Sequence, residues 1–157
     1  MTDPGVEPIR RTVTLRAAPA RAFDAFTERM TEWWPRAYTW SVGDLERIVI
    51  EPWQGGRWYE VRRGGGEEVW GTVLEWDAPA RLTLSWQIRA GRTPERDVAH
   101  ASEVDVRFFE DGPGETRLEL THDGFARHGR GAAEYRAGMD GPEGWTEILS
   151  RYAGSVA

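Results

Sequence analysis

At 157 residues the chain fits one domain, expected to span 1–157 with its core at about 8–155, and leaves little room for a second. It has no cysteine and all 20 of its basic residues are arginine, which excludes disulfides, thiolate nucleophiles, cysteine metal sites, Schiff-base lysines and a Walker-type phosphate lysine. A net charge of −6 with no concentrated basic patch speaks against a nucleic-acid surface.

The segment Met1 to Pro8 carries two acids and no apolar run, so it does not read as a signal peptide. No stretch approaches the roughly 18 consecutive apolar residues of a membrane span, and a cytoplasmic protein is expected. Hydrophobic residues at 39% and charged residues at 29% are ordinary for a globular domain. The nine tryptophans are not ordinary, and they suit a large apolar core or a pocket wall.

Ile9 to Arg16 alternates as a half-buried strand, with Ile9, Val13 and Leu15 inward. Pro19 suits the first turn of a helix whose buried stripe is Ala22, Phe23, Phe26 and Met30. Trp33-Trp34-Pro35 ends it, because the residue before proline is pushed out of the α region. Short strands are expected over 48–51 and 57–63, separated by the Gly55-Gly56 turn. A strand over 69–77 should set Trp70, Thr72, Leu74 and Trp76 against Val69, Gly71 and Val73. Another over 81–88 places Leu82, Leu84, Trp86 and Ile88 on one face.

A polar loop at 90–100 leads to strands over 102–109 and 116–122, the first facing Val104, Val106 and Phe108 inward and the second Leu118, Leu120 and His122. Joined by short turns and one loop, the last four strands read as an antiparallel meander. Residues 123–142 are glycine-rich, and a connection this long is more often functional or mobile than idle. A helix starting near Glu143 closes the chain, with Trp145, Ile148, Leu149, Tyr152 and Val156 as its apolar stripe. That stripe is the natural cover for a one-sided sheet.

Five motifs occur in order: Met30-x-x-Trp33-Trp34-Pro35; Pro52-x-x-Gly55-Gly56-Arg57-Trp58; Trp70-Gly71-x-Val73-x-x-Trp76-x-x-Pro79-x-Arg81-Leu82-x-x-x-Trp86; Thr116-x-Leu118-x-Leu120-x-His122-x-Gly124-Phe125; and Gly144-Trp145-x-x-x-Leu149. Together they resemble the homologues of the C-terminal domain of the heat-shock-protein ATPase activator, a family of the START-like or SRPBCC superfamily. The resemblance covers roughly residues 8 to 155. It implies an α+β helix-grip fold: a curved antiparallel sheet of six to seven strands around a long C-terminal helix, short N-terminal helices after the first strand, and a cavity between sheet and helix. It implies no particular reaction, since this superfamily hosts binders, cyclases, transfer proteins and co-chaperones on one scaffold. The eukaryotic activator docks on its chaperone through a separate N-terminal domain that this chain lacks, so a chaperone partner is not expected.

The expected ligand is a small, largely apolar or aromatic molecule, contacted by Trp58, Trp70, Trp86, Phe108, Leu120, His122, Trp145, Leu149 and Tyr152. His122 has two readings: a ligand contact or acid–base group, or a bond to the backbone of the glycine-rich segment that pins strand to loop. In a cyclase- or hydrolase-like alternative, His122 would work with Tyr59, Glu60 or Tyr152. No complete catalytic constellation is visible, no cofactor is implied, and His100, His122 and His128 lack a metal-ligand spacing. An interaction protein, co-chaperone-like or a partner of a regulator, is a further alternative, and Trp33, Trp34 and Trp40, where exposed, would offer a homodimer contact.

Overall fold

The computed structural model describes residues 5–156. Seven strands form one antiparallel sheet in the order β1-β7-β6-β5-β4-β3-β2. They are β1 (Ile9–Leu15), β2 (Leu45–Ile50), β3 (Arg57–Arg62), β4 (Glu67–Asp77), β5 (Arg81–Trp86), β6 (Ser102–Glu110) and β7 (Thr116–Asp123). From β2 to β7 each strand pairs with its neighbour in sequence, so the meander holds six strands, and β1 closes the far edge against β7. Alternation is clean where the ladder is regular: in β7, Thr116, Leu118, Leu120 and His122 are buried while the residues between them are not.

Among the described residues there are four α-helices, α1 (Pro19–Thr27), α2 (Met30–Trp33), α3 (Ala132–Asp140) and α4 (Trp145–Val156); α1, α2 and α4 pack on the strands and α3 packs on α4. Helix α1 begins with proline, whose missing N–H lies where no intrahelical acceptor exists. Helix α4 packs on β1, α1 and α2 with Trp145, Ile148, Leu149, Tyr152 and Val156 all buried, the stripe expected from its spacing. This is the helix-grip arrangement. Among the described residues no helix is long and apolar enough to cross a membrane.

Two strand ends, the alternation of β4 and the loop at 123–142 need correction. Strand β2 begins at Leu45 rather than 48, and β5 stops at Trp86, after which Ile88 makes only an isolated bridge to Pro94. Strand β4 does not alternate regularly from 69 to 76, because its register shifts once against β3 near Trp70 and again against β5 near Leu74. Each bulge moves the side chains that follow to the other face, so Trp70 and Val73 are both buried. Between the two bulges β4 and β5 approach closely at Gly71, where a Cβ would lie 1.9 Å from the Ser85 carbonyl oxygen. Only glycine fits there.

The third correction concerns 123–142, expected as a long loop. It contains a 3-10 turn (Phe125–His128) and the nine-residue helix α3. Helix α3 has a glycine before its first residue, no side-chain cap and Gly138 inside it, so local propensity hides it. Tertiary contacts hold it instead. Arg136 donates to the Glu7 and Pro8 carbonyls, Arg11 of β1 pairs with Asp140 at 2.7 Å, and Tyr135 reaches back to β5.

Candidate functional site

Helix α3 stands off the sheet, and the space beneath it is a cavity of about 980 Å³. Its floor is indole: Trp34, which follows α2, with Trp70 of β4 and Trp86 of β5. Tyr38, Thr39 and Trp40 form one side, and Tyr135, Met139 and Ile148 the other. Arg92, Arg130, Glu134 and Glu143 contribute its charged groups. Trp34 is the hub of the aromatic cluster, with ring centroids 5.1 Å from Trp70, 6.0 Å from Trp58, 6.2 Å from Trp145 and 6.3 Å from Trp86.

Two polar groups fix the walls. Glu60 is fully buried on the Trp58 face of β3, and its carboxylate accepts the Trp40 and Ser41 backbone N–H groups and the Trp70 indole N–H, each at 2.7 Å. It ties the 39–42 segment to the cavity floor. Tyr135 accepts the Trp86 indole N–H at 2.6 Å and donates to the Ile88 carbonyl at 2.8 Å, which ties α3 to β5. Burial pushes the Tyr135 hydroxyl up to about 12, so it stays protonated at neutral pH and serves as a donor, not a base.

Of the nine expected contact residues, Trp70 and Trp86 line the cavity. Trp58 and Trp145 stand behind them, within 6 Å of Trp86. Phe108, Leu120, Leu149 and Tyr152 lie in the continuous core; Tyr152 donates to the Ala22 carbonyl and stacks edge-on against Trp33 and Phe26. Trp33 and Trp34 are buried and so give no exposed face for a dimer contact.

His122 is not among the residues lining this cavity, and its bonds run to side chains rather than to the backbone of the glycine-rich segment. It is fully buried between Trp86, Trp145 and Phe125. Its Nδ1 accepts the Trp145 indole N–H at 3.0 Å and its Nε2 meets Ser102 Oγ at 2.7 Å. It therefore joins β7 to α4 and β6 through side chains alone. Sequence reasoning missed Trp34, Trp40, Tyr135 and Met139 as cavity residues. The Trp33-Trp34-Pro35 motif was a signal for the first, and Tyr135 and Met139, four residues apart on α3, had none without that helix.

Burial holds His122 neutral, well below the ordinary imidazole range, and His128 is lowered for the same reason. In the unfolded chain a histidine protonates near 6.5. The stability tied to neutral His122 is thus complete above that pH and is lost as pH falls below it, by up to about 1.4 kcal/mol per pH unit. Urea denaturation at about pH 7 and about pH 5.5 should show this loss, and His122→Phe should flatten the slope. An unchanged slope in the variant would show that His122 does not titrate on unfolding.

Residues 16–154 match the family described as activator of Hsp90 ATPase homolog 1-like protein. The chain belongs to this family. Among curated proteins none matches the sequence. Among solved structures, the AHSA1-like chain is similar to Txn09, an anthrahydroquino-γ-pyrone synthase solved as a complex, at 37% identity and a TM-score of 0.68, over 99% of this chain and 100% of that one. It is also similar to CalC, a self-sacrificing resistance protein from Micromonospora echinospora, at 28% identity and a TM-score of 0.70, over 97% and 95% of the two chains. An HSP90 activator from Plasmodium falciparum shares the fold, at 22% identity and a TM-score of 0.51 over 74% of this chain and 72% of that one.

Proposed function

We propose that this AHSA1-like protein is a cytoplasmic binder of a planar, polycyclic aromatic molecule held under α3. The observation that carries the reading is the cavity floor of Trp34, Trp70 and Trp86, three rigid indoles facing a volume of about 980 Å³. Such a volume is at the upper end of small-molecule sites. Flat aromatic rings stack on indoles at low entropic cost. Trp40 also lines the cavity, and its buried indole N–H has no partner among the described residues, so a quinone or ketone oxygen on the ligand would satisfy it. The likeness to an anthrahydroquino-γ-pyrone synthase supports the same ligand class.

Titration of tryptophan fluorescence with hydroxyanthraquinones should give saturable quenching at micromolar ligand, weakened in Trp86→Ala. Saturable quenching by aliphatic acids alone, with none by the arenes, would overturn the reading.

The identity to a synthase favours a second reading, in which the cavity closes a ring on such a molecule. Addition of a phenolic oxygen to a conjugated ketone forms one C–O bond and moves the phenol proton to the carbon next to the carbonyl. The carboxylates available to carry that proton are Glu134 and Glu143, because Tyr135 is held as a donor. Turnover of a hydroxyarene carrying such a side chain, lost in Glu134→Gln or Glu143→Gln, would establish it. Binding without turnover leaves the first reading.

A further inference from the structure

Beside the main cavity lies a second cleft of about 450 Å³, and Ala90, Gly91 and Arg130 line both. The turns that carry them meet there, since a Cβ at Gly131 would touch that of Ala90 at 3.8 Å. The two spaces differ in chemistry. The main cavity is floored by indoles, whereas the cleft is lined by Arg89, Arg127, Arg130, His100 and His128 against one acid, Glu95. Glu95 is already engaged by Arg89 at 3.3 Å and by the Asp97 backbone N–H, and Arg127 by Glu103 at 3.1 Å. Among the described residues Arg130 has no carboxylate partner within salt-bridge distance.

The hydrogen-bond chain from the core fixes where the protons on His128 lie. An indole N–H can only donate, so His122 Nδ1 accepts from Trp145 and the His122 proton sits on Nε2. That proton is donated to Ser102 Oγ. Ser102 is fully buried, and its remaining partner is His128 Nε2 at 2.7 Å, so the hydroxyl proton is donated to that nitrogen. The His128 proton is thereby placed on Nδ1, which is buried and has no acceptor among the described residues. His128 lines the arginine-rich cleft, and a buried donor left without a partner there favours an acceptor brought from outside.

We propose that the cleft receives an anionic oxygen group, a carboxylate or ionised phenol, of the aromatic molecule whose rings occupy the main cavity, with His128 Nδ1–H and Arg130 as its donors. The inference rests on the reading of the main cavity as a ligand site and narrows the ligand to an acidic arene. Two charge-assisted bonds from a partly buried wall distinguish an ionised group from its neutral isostere.

The test compares anthraquinone-2-carboxylate with anthraquinone-2-carboxamide by calorimetry at about pH 7.5, with imidazole 15N spectra of the same samples. The carboxylate should bind at least about tenfold more tightly, the size of one charge-assisted hydrogen bond. Arg130→Gln should reduce the ratio of the two affinities to roughly twofold, whatever its effect on the carboxamide alone, and Arg130→Lys should restore part of it. The free protein should show His128 protonated on Nδ1, and the carboxylate should shift that signal. Equal affinities for the two ligands would overturn the inference and leave the cavity reading intact. Tight carboxylate binding with the His128 signal unmoved would place the anion elsewhere and overturn it too. If neither arene binds, the cavity reading fails first.

Discussion

Replacing Glu60 by alanine should cost about 4 kcal/mol of stability and abolish binding in the main cavity. The carboxylate is fully buried and accepts three N–H groups, and its removal leaves those donors without a partner. Each buried orphan costs on the order of 1–3 kcal/mol, and the Trp40 and Ser41 groups recover part of this by reaching water. Glu60→Gln separates charge from shape. One oxygen of Glu60 takes both Trp40 N–H and Trp70 Nε1–H, and the other takes Ser41 N–H. A glutamine with its oxygen at the first position keeps two bonds and sets its amide hydrogens against Ser41, so a loss of about 2 kcal/mol is expected. Urea denaturation of the three proteins measures the order. If alanine and glutamine cost the same, small amount, Glu60 does not anchor the 39–42 wall.

Trp34→Ala should be the second severe change, at about 4 kcal/mol, because it removes the ring on which Trp58, Trp70, Trp86 and Trp145 converge. The loss combines transfer of a large apolar side chain with a void that four rigid indoles cannot collapse to fill. Trp34→Phe retains an aromatic contact and should cost about half as much. The affinity of a polycyclic ligand should fall in step with the stability in these variants, because Trp34 is at once core and cavity floor. A Trp34→Ala protein of near-native stability would mean that the cluster packs independently of its centre.

What could be read from the residues follows from what periodicity encodes. Alternation in β6 and β7 and the stripe of α4 separate inward from outward side chains, and these elements appear where expected. Inward, however, is not the same as pocket-lining. Phe108 and Leu120 of the sheet and Leu149 and Tyr152 of α4 face one another in the continuous core, while Trp70 and Trp86 face the interior where α3 holds off from the sheet. That gap is created by a helix with a weak local signature, so the division between core and cavity has no trace in the strands themselves. The bulges of β4 are hidden for a similar reason: they depend on the approach of Gly71 to Ser85, a contact between neighbouring strands. His122 was legible as inward, but not as a group with both ring nitrogens occupied, since Trp145 and Ser102 come from other elements.

The central claim, that the space under α3 takes a planar arene, is tested most directly by the indole N–H signals of the nine tryptophans in a 1H–15N spectrum recorded with anthraquinone-2-carboxamide. The cavity predicts shifts for Trp34, Trp40, Trp70 and Trp86, with Trp53, exposed after β2, and Trp33, buried beside Tyr152, left in place. Shifts confined to Trp53, or none at saturating ligand, would contradict it.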